Sequence, residues 1–391
     1  MNRATEAVIV EVARTPVGKF RQALASFEAP ALGSMAMKKA VEKAGIDPKE
    51  IDEVIFANLF DYNWGNLARI AVLEAGFPIS VPAISVNRQC ASSLDAVALA
   101  ASLIMTGAAE IVLAGGVESY SKQPVMMKRP DSAYPATLEV APFKVSSDLV
   151  GDPPMIITAE NLAKKYGISR EESDQFAVSS HKKAAAAWAR GFFAGETFSI
   201  EIPQKKGDPV IFKSDECVRA DCSMETLGRL KPVLLKDGVV TAGNSSPMND
   251  GASAVLLMSG QKANELGLKP LAKVTAFASA GVDPTIMGIG PVYSTRKLME
   301  RTGLKIDDFD IIEMNEAFAA QSIACIRELE IDERKLNPNG GAIAIGHPNA
   351  ASGGILTART VRHMQEHDLK RGLITFCCGG GQGFSCLLER E

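Results

Sequence analysis

The sequence has no long apolar run and almost no charge bias, and each absence removes a class of function. No stretch of the 391 residues reaches the roughly 20 apolar residues that a membrane-spanning helix requires. With 46 Asp and Glu against 42 Lys and Arg, the net charge is −4. That supplies no electrostatic footprint for nucleic acid or an anionic membrane surface. The N-terminus, MNRATEAVIVEVARTPVGKF, has neither the apolar segment nor the small-residue cleavage site of a signal peptide, so a cytoplasmic protein is expected. No CxxC occurs, which argues against a zinc ribbon. Seven cysteines in a large chain with no secretory signal favour free thiols over a disulfide framework. Cys217 and Cys222, in a polar segment, are expected to be exposed loop thiols.

Histidine is scarce, with four in the chain. His363 and His367 are spaced to share a helix face, which would suit zinc. The surrounding RHMQEHDLKR is charged on most sides, however, and reads as a solvated helix end. No metal is expected. His181 lies in the charged SSHKK. His347 differs: it sits in NPNGGAIAIGHPNAASGG, an apolar and glycine-rich setting. A histidine there is either a satisfied core residue or a functional one.

What is present is the composition of a globular protein, 46% apolar and 23% charged, with length for two or three structural units. The first 120 residues alternate strand-like and helix-like segments. Strands are expected at Val8–Val12, Val54–Leu59, Ala83–Val86 and Glu110–Gly116. Helices are expected at Ala31–Ala44, ended by Gly45, and at Leu94–Met105, closed by Gly107. This is α/β order with a largely buried sheet. The helix after Cys90 is apolar or small around nearly its whole circumference and is expected to be buried on all sides.

A similar order returns from about residue 271. IDEVIFAN, ending at Asn58, matches DFDIIEMN, ending at Asn315. IVLAGG, ending at Gly116, matches LITFCCGG, ending at Gly380. A duplicated α/β unit follows. The middle breaks this pattern. It opens on the proline-rich SYSKQPVMMKRPDSAYP and holds one strong helix, whose start is marked by Ser169 and Glu172 as a capping box. It reads as an insertion large enough to cover a site. The expected division is 1–119 with 249–270, an inserted 120–248, and 271–391.

Cys90, in NRQCASSLDA, lies where a strand hands over to a helix. Unpaired N–H groups there favour a thiolate and can hold a developing oxyanion. From this segment alone a small buried core cysteine is the more ordinary reading. In the second half CCGGGQG places Cys377 and Cys378 at a strand end before three glycines, which let a reactant approach backbone N–H groups closely. MNEAFAA places Asn315 at another strand end. If the halves pack by pseudo-symmetry, these ends converge on one crevice as a nucleophile, a base and a second thiol acid/base. GGGQG does not complete a phosphate-binding motif.

Together NRQCASSLDA, AGGVES, TAENLAKKYGISREE, VTAGNSSPMNDGAS, GVDPTIMGIGP, NEAFAAQ, NPNGGAIAIGHP and CCGGGQG resemble the thiolase family, of the acetyl-CoA acetyltransferase or 3-ketoacyl-CoA thiolase type, over essentially the full length. The resemblance implies a duplicated five-layered α/β/α/β/α core with an inserted loop domain. It implies reversible thiolytic cleavage or Claisen condensation through an acyl-cysteine, with acyl-CoA and CoA as substrates and no resident cofactor. Cys90 would carry the acyl group and His347 would activate it. Cys377 would move the proton at the acetyl-CoA carbon. Asn315 would hold a water that joins His347 in one oxyanion hole, and the N–H groups of Cys90 and Gly379 would form the other. Ser246 would lie near the pantetheine arm, and Met155, Met287 and Phe318 would line the acyl pocket. A homodimer or homotetramer is implied.

The chain departs from the family pattern at Ser93, at Pro154–Ile156, at Pro247, at Asn349 and Ala350, and at Tyr120, all around the acyl and pantetheine channel. A ketoacyl synthase shares the fold but lacks the second cysteine. A lipid- or acyl-CoA-binding relative without catalysis would not need both cysteines, the histidine and the asparagine.

Overall fold

The computed structural model describes residues 5–130 and 138–391. The end of the proline-rich stretch, residues 131–137, lies outside them. In chain order the first part runs β1 (Ala7–Arg14), the short β2 (Gly18–Lys19), α1 (Ala29–Ala44), β3 (Glu53–Ala57), α2 (Leu67–Glu74), β4 (Ala83–Val86), α3 (Ser92–Met105) and β5 (Ile111–Ser119). The middle holds α4 (Met155–Tyr166), α5 (Arg170–Ala189), β6 (Ile200–Ile202), β7 (Val210–Phe212) and α6 (Met224–Gly228). Next come β8 (Asn249–Ser259), α7 (Gly260–Glu265), β9 (Ala272–Gly281), α8 (Gly290–Thr302), β10 (Ile311–Met314), α9 (Ala319–Leu329), α10 (Ala342–Ile345), α11 (Ser352–Glu366), β11 (Arg371–Cys378) and β12 (Gln382–Glu389).

The strands follow the order β10-β11-β12-β9-β1-β8-β5-β3-β4, and this order explains the repeated sequence. Read outward from the central β1–β9 pair, β1-β8-β5-β3-β4 mirrors β9-β12-β11-β10, with the same alternation of antiparallel and parallel neighbours. IDEVIFAN supplies β3 and DFDIIEMN supplies β10; IVLAGG opens β5 and LITFCCGG fills β11. The counterpart of β4 is reduced to a parallel bridge between Ile312 and Leu336.

Helices fill three layers around the two sheet halves. Apolar faces of α1 and α2 close over one half and α8 and α9 over the other. Between the halves lie α3 and α11, packed with inward residues of both sheets such as Val112, Val255, Ile374 and Phe376. The result is α/β/α/β/α. As read from its composition, α3 is buried over most of its surface, with Leu99 exposed. Full burial of a side chain such as Phe376 stabilises the fold by about 1.5–3 kcal/mol.

Some expectations need correction. Edge strand β4 is not buried: Ile84 is half exposed. The middle segment has two long helices rather than one, α4 and the capped α5, and both pack onto the second half. Cys217 and Cys222 are buried, not exposed. The Cys217 sulfur accepts from Asn249 Nδ2 at 3.1 Å, and Cys222 packs with Ala177, Val178 and Leu227. Local polarity in sequence did not reveal these distant partners. His181 is also buried, facing Arg219, and burial lowers its pKa to about 4. His363 is half-buried, its Nδ1 accepting from Asn339 at 3.1 Å, while His367 is exposed. With Glu366 they place ligand-capable atoms within 4.8 Å of one another. No helix among the described residues is long and apolar enough to cross a membrane.

Candidate active site

Cys90 sits in a tight turn just before α3. Asn87 Oδ1 accepts from the Gln89 N–H at 2.9 Å, and Gln89 takes a left-handed conformation with φ of 51°. Ser92 Oγ accepts from the Arg88 N–H at 2.7 Å and donates to the Gln89 carbonyl at 2.5 Å. Arg88 pairs with Asp95 at 2.8 Å and lies over the Phe384 ring. These local bonds present Cys90 at the N-terminal end of a buried helix.

The two central helices bring the segment that carries Cys90 against the segment that carries His347. A Cβ on Gly353 would stand 2.1 Å from the Leu94 amide nitrogen, so α11 and α3 touch backbone to backbone only because that residue is glycine. Ser93, one of the departures, gives this contact a bond: its Oγ accepts from the Gly354 N–H at 3.0 Å.

His347 is held at two points. Its N–H donates to Asn249 Oδ1 at 2.8 Å, and its Nδ1 lies 2.6 Å from Ser352 Oγ. Its Nε2 faces Asn315 Nδ2 at 3.4 Å. Asn315 follows β10 and is fully buried, and its Oδ1 accepts no hydrogen bond from any described residue. The backbone beside it is clamped by Asn337, which accepts from the Met314 N–H and donates to the Met314 carbonyl, each at 2.9 Å.

Strand alternation separates the two neighbouring cysteines of β11. Cys377 faces an apolar cluster with Met155, Ile156, Ala159, Met287 and Phe318. Cys378 turns to the central helix layer. Thus Cys377, Met155, Met287 and Phe318 share one lining, with α4 closing it. Ser246 is half-buried and joins this lining at Ala317, its Oγ donating to the Ala317 carbonyl at 3.1 Å. Gly379 directs its N–H at the Cys90 sulfur, as does the N–H of Cys90 itself. Two further departures meet: Asn349 Nδ2 donates to the Tyr120 hydroxyl at 3.4 Å, and Tyr120 packs on Phe60.

Burial dominates the electrostatics. It pushes the Cys90 thiol up to about 11 against the pull of the two N–H groups. It raises Cys377 well above the usual thiol range and lowers His347 to about 4. Burial thus favours the neutral form of each thiol and of the imidazole. Glu118, buried nearby with both oxygens accepting backbone N–H groups, is raised to about 8. Chemically, the crevice offers two thiols, one imidazole and N–H groups aimed at the nucleophile.

Asn249, Asn337 and Ser352 were not singled out from sequence. Each acts across the fold or across a loop, and the sequence carried no signal for them beyond a polar residue beside a glycine-rich run.

The comparisons agree with this architecture. The profile described as Thiolase, N-terminal domain matches residues 7–261, and that described as Thiolase, C-terminal domain matches residues 268–390. The acetyl-CoA acetyltransferase of Pseudomonas aeruginosa is 46% identical over 99% of this chain and 100% of its own length. That of Cupriavidus necator is 46% identical with the same coverage. The crystal structure of the Bacillus anthracis acetyl-CoA acetyltransferase superposes with a TM-score of 0.94 at 38% identity, covering 100% of both chains. The chain belongs to the thiolase family. It is an enzyme, a CoA-dependent acyltransferase.

Proposed function

We propose that this enzyme cleaves or forms 3-ketoacyl-CoA through an acyl group carried on Cys90. The observation that carries the reading is the backbone contact that packs the helix after Cys90 on the helix after His347, and it is supported by Asn315 on His347 Nε2, by Cys377 acting on Cys90 and by backbone N–H groups that lower the Cys90 thiol. In cleavage, His347 Nε2 takes the Cys90 proton as the sulfur attacks the 3-keto carbon. The C2–C3 bond breaks, and the acetyl-CoA carbanion takes the proton of Cys377. The N–H groups of Cys90 and Gly379 serve one oxyanion, and His347 with a water on Asn315 serves the other. Free CoA then gives its thiol proton to the Cys377 thiolate and attacks the acyl group. The departing Cys90 sulfur recovers its proton from His347. Every group returns to its resting state, and condensation is the reverse. Coenzyme A and its thioesters are substrates, and no resident cofactor enters the scheme.

The names of the relatives support acetyl-CoA as one product or substrate. The lining of Met155, Met287 and Phe318 supports an apolar acyl group, and the place of Ser246 supports a role beside the pantetheine arm. We place the enzyme in the cytoplasm, as a homodimer or homotetramer; the exposed edge strand β4 supports assembly.

The test is incubation with 3-ketoacyl-CoA esters of several chain lengths without free CoA, followed by peptide mass spectrometry. An acyl adduct on Cys90 is expected, its mass reporting the preferred chain. A folded protein with no adduct on Cys90 from any ester would overturn the reading.

A further inference from the structure

The His347 ring has two nitrogens, and only one arrangement of protons lets Nε2 act as a base. Ser352, the first residue of α11, stands 2.6 Å from Nδ1 and 3.1 Å from the Pro348 carbonyl. A carbonyl can only accept, and Ser352 has one hydroxyl proton. Once that proton goes to Pro348, Ser352 Oγ can only accept from His347. The proton of the neutral imidazole is then on Nδ1, and Nε2 keeps its lone pair. The far side of the ring agrees: Nε2 faces the Asn315 amide nitrogen, a donor. The opposite tautomer would set Nε2–H against that N–H. The backbone is fixed independently, by Asn249 on the His347 N–H. His347, Ser352, Asn249 and Asn315 are all buried, so competing solvent does not scramble the network.

We propose that Ser352 is the positioning residue that sets the His347 tautomer, holding the proton on Nδ1 so that Nε2 can accept the Cys90 proton. The assignment rests on the reading of His347 as the base for Cys90, and it adds a residue that touches neither substrate nor the reacting sulfur. It also ties the base to the first turn of α11, the helix that packs against the nucleophile's own helix.

Two measurements test it. First, the 15N spectrum of histidine-labelled protein, with the His347 signal assigned by its loss in His347→Gln, should show the proton on Nδ1 in the native enzyme. A proton on Nε2 would overturn the proposal without recourse to any Ser352 variant. Second, the rate of Cys90 alkylation by iodoacetamide at neutral pH should fall about ten- to a hundredfold in Ser352→Ala, by analogy with the loss of the partner that orients a metal-bound histidine. The same substitution made on top of His347→Ala should change nothing, because it acts only through that ring. An alkylation rate for Ser352→Ala within twofold of the native one would overturn the proposal. So would an equal slowing in the His347→Ala background, which would mark a packing effect. If His347→Ala itself alkylates at the native rate, the base reading fails; if it is slow while Ser352→Ala is normal, only the present inference fails.

Discussion

Replacing Gly353 by alanine would drive apart the two helices that carry the site. The new Cβ would lie 2.1 Å from the Leu94 nitrogen and 2.8 Å from Leu94 Cα and Cβ. Heavy atoms at rest sit about 3.5–4.0 Å apart, so α3 and α11 must open by roughly 1.5 Å. Both are central and packed against sheet on two sides, so neither can swing into solvent. Overpacking of this kind costs about 1–3 kcal/mol. The opening also stretches the 3.0 Å bond from Gly354 to Ser93, worth about 1 kcal/mol more. A loss of about 2–4 kcal/mol is expected, read as a lower urea midpoint at unchanged slope. The catalytic effect should be larger in proportion. Cys90 leads into α3 and His347 precedes α11, and a displacement of about 1 Å can cost about a hundredfold in rate. Single-turnover acylation of Cys90, measured well below the variant's midpoint, should fall by that order. A variant with native midpoint and native acylation rate would refute the claim that this backbone contact sets the geometry of the site.

Three further outcomes are expected. Asn249→Ala removes the acceptor of the His347 N–H and the donor to the Gly18 carbonyl and Cys217; buried groups left without partners cost about 1–3 kcal/mol each, so its urea midpoint should drop markedly, and a native midpoint would contradict this. In His347→Ala, alkylation of Cys90 should climb steadily with pH and not level off below about pH 10, because burial holds the thiol near 11 and only the thiolate reacts; a plateau near pH 8 would contradict it. Folding stability should fall as pH rises from about 6.5 to 8. Glu118 and Glu313 are raised to about 8 by burial, so the folded state keeps protons that the unfolded state has already released. His181, His347 and His363, lowered to about 4, act in the opposite sense only below about 6.5. Urea melts across that range would show the decline, and a rising stability would contradict the assignment.

The doubled core was legible because each half repeats two strands that end at the crevice, and strand ends are marked by short apolar runs with asparagine or glycine behind them. The two outer edges were less legible. Strand β4 reads as apolar, yet among the described residues it is an edge strand whose Ile84 stays half exposed. The helix α4 was missed because proline precedes it and no side-chain cap announces it. The main candidate residues stood out because they are unusual types in unusual places, a cysteine before a buried helix and a histidine among glycines. Their supports did not. Asn249 stands 98 residues before the histidine it holds, and Ser93 meets Gly354 across 261 residues. Such pairings are properties of the packed helices and leave no local pattern. Cys217 shows the same limit from the other side, as a polar stretch that folds inward onto Asn249.

The division of labour between the two thiols is the centre of the account, and deuterium exchange into acetyl-CoA tests it most directly. The native enzyme, Cys377→Ala and Cys90→Ala would each be incubated with acetyl-CoA in D2O. The methyl group would be read by mass spectrometry and Cys90 by adduct mapping. The native enzyme should both acylate Cys90 and exchange methyl hydrogen. Cys377→Ala should still acylate Cys90 but lose the exchange, since no group remains to take the proton. Exchange at the native rate in Cys377→Ala, or acylation found on Cys377 in Cys90→Ala at the native rate, would contradict the assignment.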